Sequence, residues 1–212
     1  MDPPMTLPNP LRHAAYLRSV HNPEQLPPDD GREVAISGRS NAGKSSAINK
    51  IVAQHKLART SKTPGRTQQL VYFELAPSRF LVDLPGYGYA KVPEPLRIHW
   101  KELIDGYFQT RQALTGLIVV MDIRHPLKDY DLQMLNYAAA RGLPAHALLT
   151  KADKLPRGQQ AKALTEVRNR MEGGRVAVQL FSAETGQGVE EARAVLCEWL
   201  EMPPERRGVA AE

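Results

Sequence analysis

Little in this chain of 212 residues can be cross-linked or placed in a bilayer. It has one cysteine, Cys197, which excludes an intrachain disulfide framework; in a stretch of helical pattern that thiol is expected to be a small core hydrophobe. No run of about 18 apolar residues occurs, and the longest candidate, Leu114 to Met121, is broken by Thr115 and Gly116. The opening residues Met1-Asp2-Pro3-Pro4 lack the basic-then-apolar order of a secretory signal, so a cytoplasmic location is expected. There is no internal repeat, and no heptad pattern asks for a dimer, so a monomer is expected. Acidic residues are missing from the whole interval between Lys44 and Glu74, which holds Lys50, Lys56, Arg59, Lys62 and Arg66. That one stretch equals the net charge of +5. It suits a polyanion such as RNA, or it is a solvated loop whose charge favours nearby nucleotide phosphates.

What is present reads as one soluble α/β unit. Hydrophobic content of 42% with 24% charged residues is ordinary for a globular domain. Residues 1–31 carry Pro3, Pro4, Pro8, Pro10, Pro23, Pro27 and Pro28, so an extended arm is expected, with a helical turn or two around Leu11 to Val20, packing on or extending from the domain. From residue 32 to 202 strands and helices alternate. Strands are expected near 33–37, 70–76, 79–83, 115–121, 144–149 and 176–181, and helices near 44–54, 96–112, 128–141, 158–172 and 187–200. The pattern implies a mostly parallel six-stranded sheet with helices on both faces. Only Pro77 and Ser78 join two of the strands, which requires a hairpin and therefore one antiparallel edge strand. The tail 203–212 is expected to be disordered. Residues 55–69 and 84–95 are unusually long connections, of the kind that more often carry function.

The chemistry is concentrated in four places. Gly38-Arg39-Ser40-Asn41-Ala42-Gly43-Lys44-Ser45 fits G-x-x-x-x-G-K-[ST] between an apolar strand and a helix. In such a loop backbone N–H groups wrap the phosphates at a helix N-terminus, Lys44 meets the β- and γ-phosphates, and the Ser45 hydroxyl can ligate Mg²⁺. Asp83-Leu84-Pro85-Gly86 ends a strand; Asp83 can hold Mg²⁺ through water, and Gly86 lets its N–H approach a γ-phosphate. Thr150-Lys151-Ala152-Asp153 ends another strand, and the Asp153 carboxylate can accept the paired N–H donors of guanine, which adenine lacks. The Lys151 stem can lie along the base while its ammonium fixes the phosphate loop. Phe181-Ser182-Ala183 ends the last strand, where small residues bring backbone N–H groups within reach of the guanine O6.

In this order the motifs look like those of a translation-factor-class GTPase. Thr60-Ser61-Lys62-Thr63-Pro64-Gly65-Arg66-Thr67-Gln68, together with Asp83-Leu84-Pro85-Gly86-Tyr87-Gly88-Tyr89-Ala90, resembles the EngB (YihA/YsxC) family of bacterial P-loop GTPases, over roughly residues 12 to 200. The resemblance implies a Ras-like three-layer fold and a factor in large ribosomal subunit assembly, with rRNA and ribosomal proteins as partners and a link to cell division and septation. It implies that Gly65, Arg66, Thr67, Gln68 and Gln69 touch the nucleotide and that Thr67 joins Ser45 as a direct Mg²⁺ ligand; the residues alone leave Thr63 and Thr67 equivalent. Asn41 is similar to a position that helps to bind K⁺ in potassium-stimulated GTPases. Thr150 stands where Asn is usual, and with fewer hydrogen-bonding options a looser tether to the phosphate loop is expected.

Tyr87 occupies the place where Ras-like enzymes have a water-positioning Gln. Intrinsic hydrolysis is therefore expected to be slow, on the order of 10⁻⁴ to 10⁻³ s⁻¹, resting on Lys44, Thr67, Gly86 and Mg²⁺ and completed by K⁺ or a partner. Tyr87, Tyr89 and Lys91 are candidates for a surface that reads RNA or protein, with packing against the helix near 96–112 the alternative, favoured for Tyr89. Two other functions fit the motifs: a GTP-dependent division scaffold, and a P-loop small-molecule kinase.

Overall fold

The computed structural model describes residues 9–58, 69–86 and 94–202, and its centre is a seven-stranded sheet. In chain order the strands are β1 (Ala15–Val20), β2 (Arg32–Gly38), β3 (Leu70–Ala76), β4 (Arg79–Asp83), β5 (Leu114–Asp122), β6 (Ala145–Thr150) and β7 (Val176–Leu180), arranged β1-β3-β4-β2-β5-β6-β7. The helices are α1 (Lys44–Ile51), α2 (Glu94–Thr110), α3 (Asp129–Ala140), α4 (Arg157–Arg170) and α5 (Val189–Trp199). Pairing is parallel from β4 through β7, whereas β3 is antiparallel to both β1 and β4, so β3 runs against the other six.

The central strands are continuous apolar runs because both of their faces are covered. Val34, Ile36, Ile118, Val120 and Leu148 point to one face, where they meet Ala47, Ile48 and Ile51 of α1 and Val189, Ala192 and Leu196 of α5. Ala35, Leu117, Val119, Met121, Ala147 and Leu149 point to the other, against α2, α3 and Val167 of α4. The α5 spacing of three and four residues is one helical stripe, which fixes the face that the helix buries.

The α/β class, with helices on both faces of a mainly parallel sheet, agrees with the expectation, and the six strands expected from the sequence all form. A seventh comes from the arm. Its turn at residues 10–13 is closed by Arg12 N–H to Asn9 O (3.2 Å) and Ala14 N–H to Leu11 O (3.2 Å), after which Ala15–Val20 is strand and not helix. The reason is non-local: β3 has an otherwise unpaired edge, and residues 11–22 contain no proline to interrupt a ladder. At the β3–β4 hairpin Ser78 takes φ 56°, and Gly31 passes so close that a Cβ would lie 2.6 Å from Ser78 O.

A buried polar cluster pins the sheet at the end away from the phosphate loop. Glu33, fully buried at the start of β2, accepts from Tyr72 Oη (3.1 Å), Tyr107 Oη (2.9 Å) and the Arg111 Nε (2.9 Å). Arg111 also donates to Pro27 O (2.8 Å) and Pro28 O (3.0 Å), holding the arm to the end of α2. Burial and the Glu33 charge push the Tyr107 phenol well above its ordinary range.

Candidate nucleotide site

The carboxyl ends of the parallel strands bring the motifs together. Residue pairing places Ile36 beside Asp83, Gly38 beside Val120, and Asp122 beside Thr150, so β2, β4, β5 and β6 end in one crevice. The loop after β2 sits where neighbouring strands leave in opposite directions, the place where open α/β sheets bind ligands. Gly38 is needed at this crossing, since a Cβ there would lie 2.9 Å from Val120 O.

Residues 39–43 turn tightly, with Ala42 N–H on Arg39 O (3.0 Å), Asn41 at φ 61° and Gly43 at φ 94°. Gly43 caps α1, whose first residues are Lys44 and Ser45. The Lys44 ammonium pairs with the Asp83 carboxylate at the end of β4. Burial pushes the Asp83 carboxyl above its ordinary range, and the Lys44 charge opposes that rise. Gly86 lies against the same loop, its Cβ position 3.4 Å from Gly38 O and 3.6 Å from Ser40 N.

Two donors from the end of β6 hold the loop from behind. Thr150 Oγ1 lies 2.5 Å from Ala42 O and 3.0 Å from Met121 O, with one hydroxyl proton between them. Lys151 Nζ donates to Asn41 O (2.6 Å) and to Asp122 Oδ2 (2.9 Å). The looser tether expected of Thr150 gives way to a short one, because a buried β-branched side chain at a strand end has little freedom to leave its acceptor.

The ends of β6 and β7 are equally ordered. Asp153 Oδ1 accepts from Ser182 Oγ (2.6 Å), and Asp153 Oδ2 lies 2.8 Å from Lys154 Nζ. These two contacts, Lys154 first, hold the Asp153 carboxyl below its ordinary range, so it is an ionised acceptor at neutral pH. The Ser182 N–H donates to Gln187 O (3.0 Å) and the Phe181 N–H to Leu149 O (2.9 Å), so neither is turned to a base. Of that tripeptide, Ser182 acts through its hydroxyl, and Phe181 is a core residue whose carbonyl accepts Ala152 N–H (3.1 Å). Leu84 and Pro85 are likewise buried with their side chains in the protein, Leu84 N–H bonding Ile36 O (2.9 Å). Their part in the site is to aim the backbone.

The structure adds residues that the motifs did not indicate. Asp122 anchors Lys151 and is itself held by Arg124 through Nε (2.9 Å), Nη2 (2.6 Å) and the backbone N–H (3.0 Å), which keep its carboxyl well below the ordinary range. A carboxylate ending an apolar strand was the available signal. Tyr130 and Asp131 open α3 next to the loop; Asp131 is buried, with Oδ2 accepting Lys128 N–H (3.0 Å) and Oδ1 meeting no hydrogen-bond donor among the described residues. Burial pushes its carboxyl up to about 6, against the pull of the Lys128 N–H and of Arg39 in the phosphate loop. Gln69 is half-buried before β3. Gly65, Arg66, Thr67, Gln68, Tyr87, Tyr89, Lys91 and the tail 203–212 lie outside the described residues.

A family model described as 50S ribosome-binding GTPase matches residues 33–151. Two relatives, the probable GTP-binding proteins EngB of Xanthomonas euvesicatoria pv. vesicatoria and Xylella fastidiosa (strain Temecula1), are each 63% identical to this chain, over 193 and 195 residues; the matches cover 90% and 91% of this chain and 93% and 96% of theirs. The chain belongs to the EngB family of GTP-binding proteins. The solved structure of a probable GTP-binding protein EngB shares the fold with TM-score 0.64 at 19% identity, covering 81% of this chain and all of that one. Aquifex aeolicus Era shares it with TM-score 0.64 at 20% identity, covering 82% of this chain and 57% of the other. Both likenesses are of fold, and with the EngB sequence match they establish the P-loop GTPase architecture. A GTP-binding family also displaces the small-molecule kinase reading.

Mg²⁺ fits the donors at hand. Asp83 and Ser45 offer hard oxygen ligands beside Lys44, and among the described residues no group of three or more His, Cys, Asp or Glu could cage a metal. Mg²⁺ suits such a sparse site because it keeps waters and phosphate oxygens in its shell. No helix of the described residues is long and apolar enough to cross a membrane.

Proposed function

We propose that this chain is a guanine-nucleotide switch that hydrolyses GTP slowly and acts in large ribosomal subunit assembly. The observation that carries the nucleotide reading is the pair of tethers, Thr150 to Ala42 O and Lys151 to Asn41 O, which join the Asp153 base site to the phosphate loop. Asp153, oriented by Ser182, accepts the guanine N1–H and amine, and Ala183 N–H faces O6. Residues 38–45 bind the phosphates, and the Lys44 ammonium, which pairs with Asp83, also meets the β- and γ-phosphates. Ser45 and Thr67 directly, and Asp83 through water, would hold Mg²⁺, which when bound would supply charge neutralisation to the phosphates. Residues 65–69 and Gly86 would contact the γ-phosphate side, and Asn41 would help to hold K⁺, which would supply further positive charge. With Tyr87 in place of a Gln, catalysis is by positioning and charge, and turnover is low.

In this reading residues 32–202 are the GTP-binding unit, the arm 1–31 adds its edge strand, and the protein is a cytoplasmic monomer. The ribosomal part is supported by the family description, 50S ribosome-binding GTPase, and by the basic interval between Lys44 and Glu74. The same reading carries the family's link to normal cell division and septation. Depletion followed by sucrose-gradient profiling tests this: loss of mature large subunits with an accumulating precursor is the expected result. Normal profiles, with nucleotide-dependent association with division proteins, would replace it by the scaffold reading.

A further inference from the structure

Tyr130, the second residue of α3, is 5% exposed, and its hydroxyl donates to Pro85 O at 3.1 Å. Its ring stacks on that of Trp100 in α2, with centroids 6.2 Å apart and planes at 29°. The Pro85 carbonyl and the Gly86 N–H belong to one peptide group, and a peptide group is a rigid plane in which the two point in opposite directions. A side chain that fixes the direction of Pro85 O therefore fixes the direction of Gly86 N–H. Gly86 is also the residue that lies against Gly38 O and Ser40 N of the phosphate loop.

We infer that Tyr130 is a positioning residue: its hydroxyl sets the direction of the Gly86 N–H toward the γ-phosphate, and its ring passes that orientation to α2 through Trp100. The inference rests on the GTP-switch reading above. GDP has no γ-phosphate, so the Tyr130 hydroxyl contributes to holding GTP and adds little to holding GDP. A reorientation of the Pro85–Gly86 peptide displaces the Tyr130 phenol, and the stacked Trp100 indole reports it from the helix that follows residues 87–93. A ligand shifts a conformational equilibrium only through contacts that differ between the two states, and this hydrogen bond is such a contact.

The chain has two tryptophans, Trp100 and Trp199, so 5-fluorotryptophan labelling of the full-length protein gives two ¹⁹F resonances, assigned with Trp100→Phe. Trp199 is distant from the turn, packed over Gly116 in β5, and serves as the control for an intact fold. The parent is expected to show a Trp100 resonance that differs between GDP and guanylyl imidodiphosphate, with Trp199 unmoved. In Tyr130→Phe, which keeps the ring, that difference is expected to fall below half. GDP affinity by calorimetry should stay within about twofold, while analogue affinity weakens about five- to tenfold. Equal weakening of both nucleotides, or an undiminished Trp100 difference, overturns the inference and leaves the GTP reading standing. Failure of the parent to bind either nucleotide overturns both.

Discussion

Lys151 Nζ lies 2.6 Å from the carbonyl oxygen of Asn41, and through this bond the end of β6 is fastened to the loop that follows β2. Thr150 repeats the fastening one residue earlier at Ala42 O. Two adjacent residues of the third motif thus hold two adjacent residues of the first, which ties the proposed base and phosphate sites to each other.

Removing the second fastening should weaken both stability and binding. Thr150→Val leaves the buried Ala42 and Met121 carbonyls without their donor, at a cost of about 1–3 kcal/mol. In a chain of this size that lowers the melting temperature by roughly 2–12 °C. GDP affinity is expected to fall by about tenfold, measured by calorimetry. Unchanged affinity would mean that the hydroxyl holds nothing the nucleotide needs.

The Glu33 cluster predicts a stability effect without a binding effect. Arg111→Ala strands a fully buried carboxylate and should cost about 3–5 kcal/mol, seen in urea unfolding, with GDP affinity of the folded fraction unchanged. The double change of Glu33→Gln with Arg111→Met should recover much of the loss. Equal damage from the single and double changes would contradict the account of an uncompensated charge.

Asp131 gives a pH signature. Its folded carboxyl titrates at about 6, above the ordinary unfolded value of about 3.9, so the folded state favours the protonated form. That contribution is fully present below about pH 4 and is lost as pH rises through about 6. Asp131→Asn keeps an acceptor for Lys128 N–H and removes the buried charge. It should raise stability by about 2–3 kcal/mol at pH 7.5, and its advantage should shrink toward pH 4. A gain independent of pH between 4 and 7.5 would remove the carboxylate from the explanation.

The strand and helix alternation was legible because β2, β5 and β6 are covered on both faces, which writes them as apolar runs bounded by loops. The four motifs were legible because each is a short local run of residues at the end of a strand. Pairings between distant segments were not legible. Ala15–Val20 becomes strand through the edge of β3, some fifty residues away, and Asp122 gains its role only when β5 and β6 align it with Thr150. Nor can a tripeptide state which of its groups is already engaged: Ser182 uses its N–H on Gln187 and offers its hydroxyl to Asp153.

The central claim is that Asp153 makes this a guanine site, and a calorimetric comparison of GDP, ADP and xanthosine diphosphate tests it most directly. The parent should prefer GDP over ADP by at least about a hundredfold. Asp153→Asn should lose GDP by a similar factor and gain xanthosine diphosphate, whose O2 and N1–H suit an amide. Equal binding of GDP and ADP by the parent, or an Asp153→Asn protein that still prefers GDP, would contradict it.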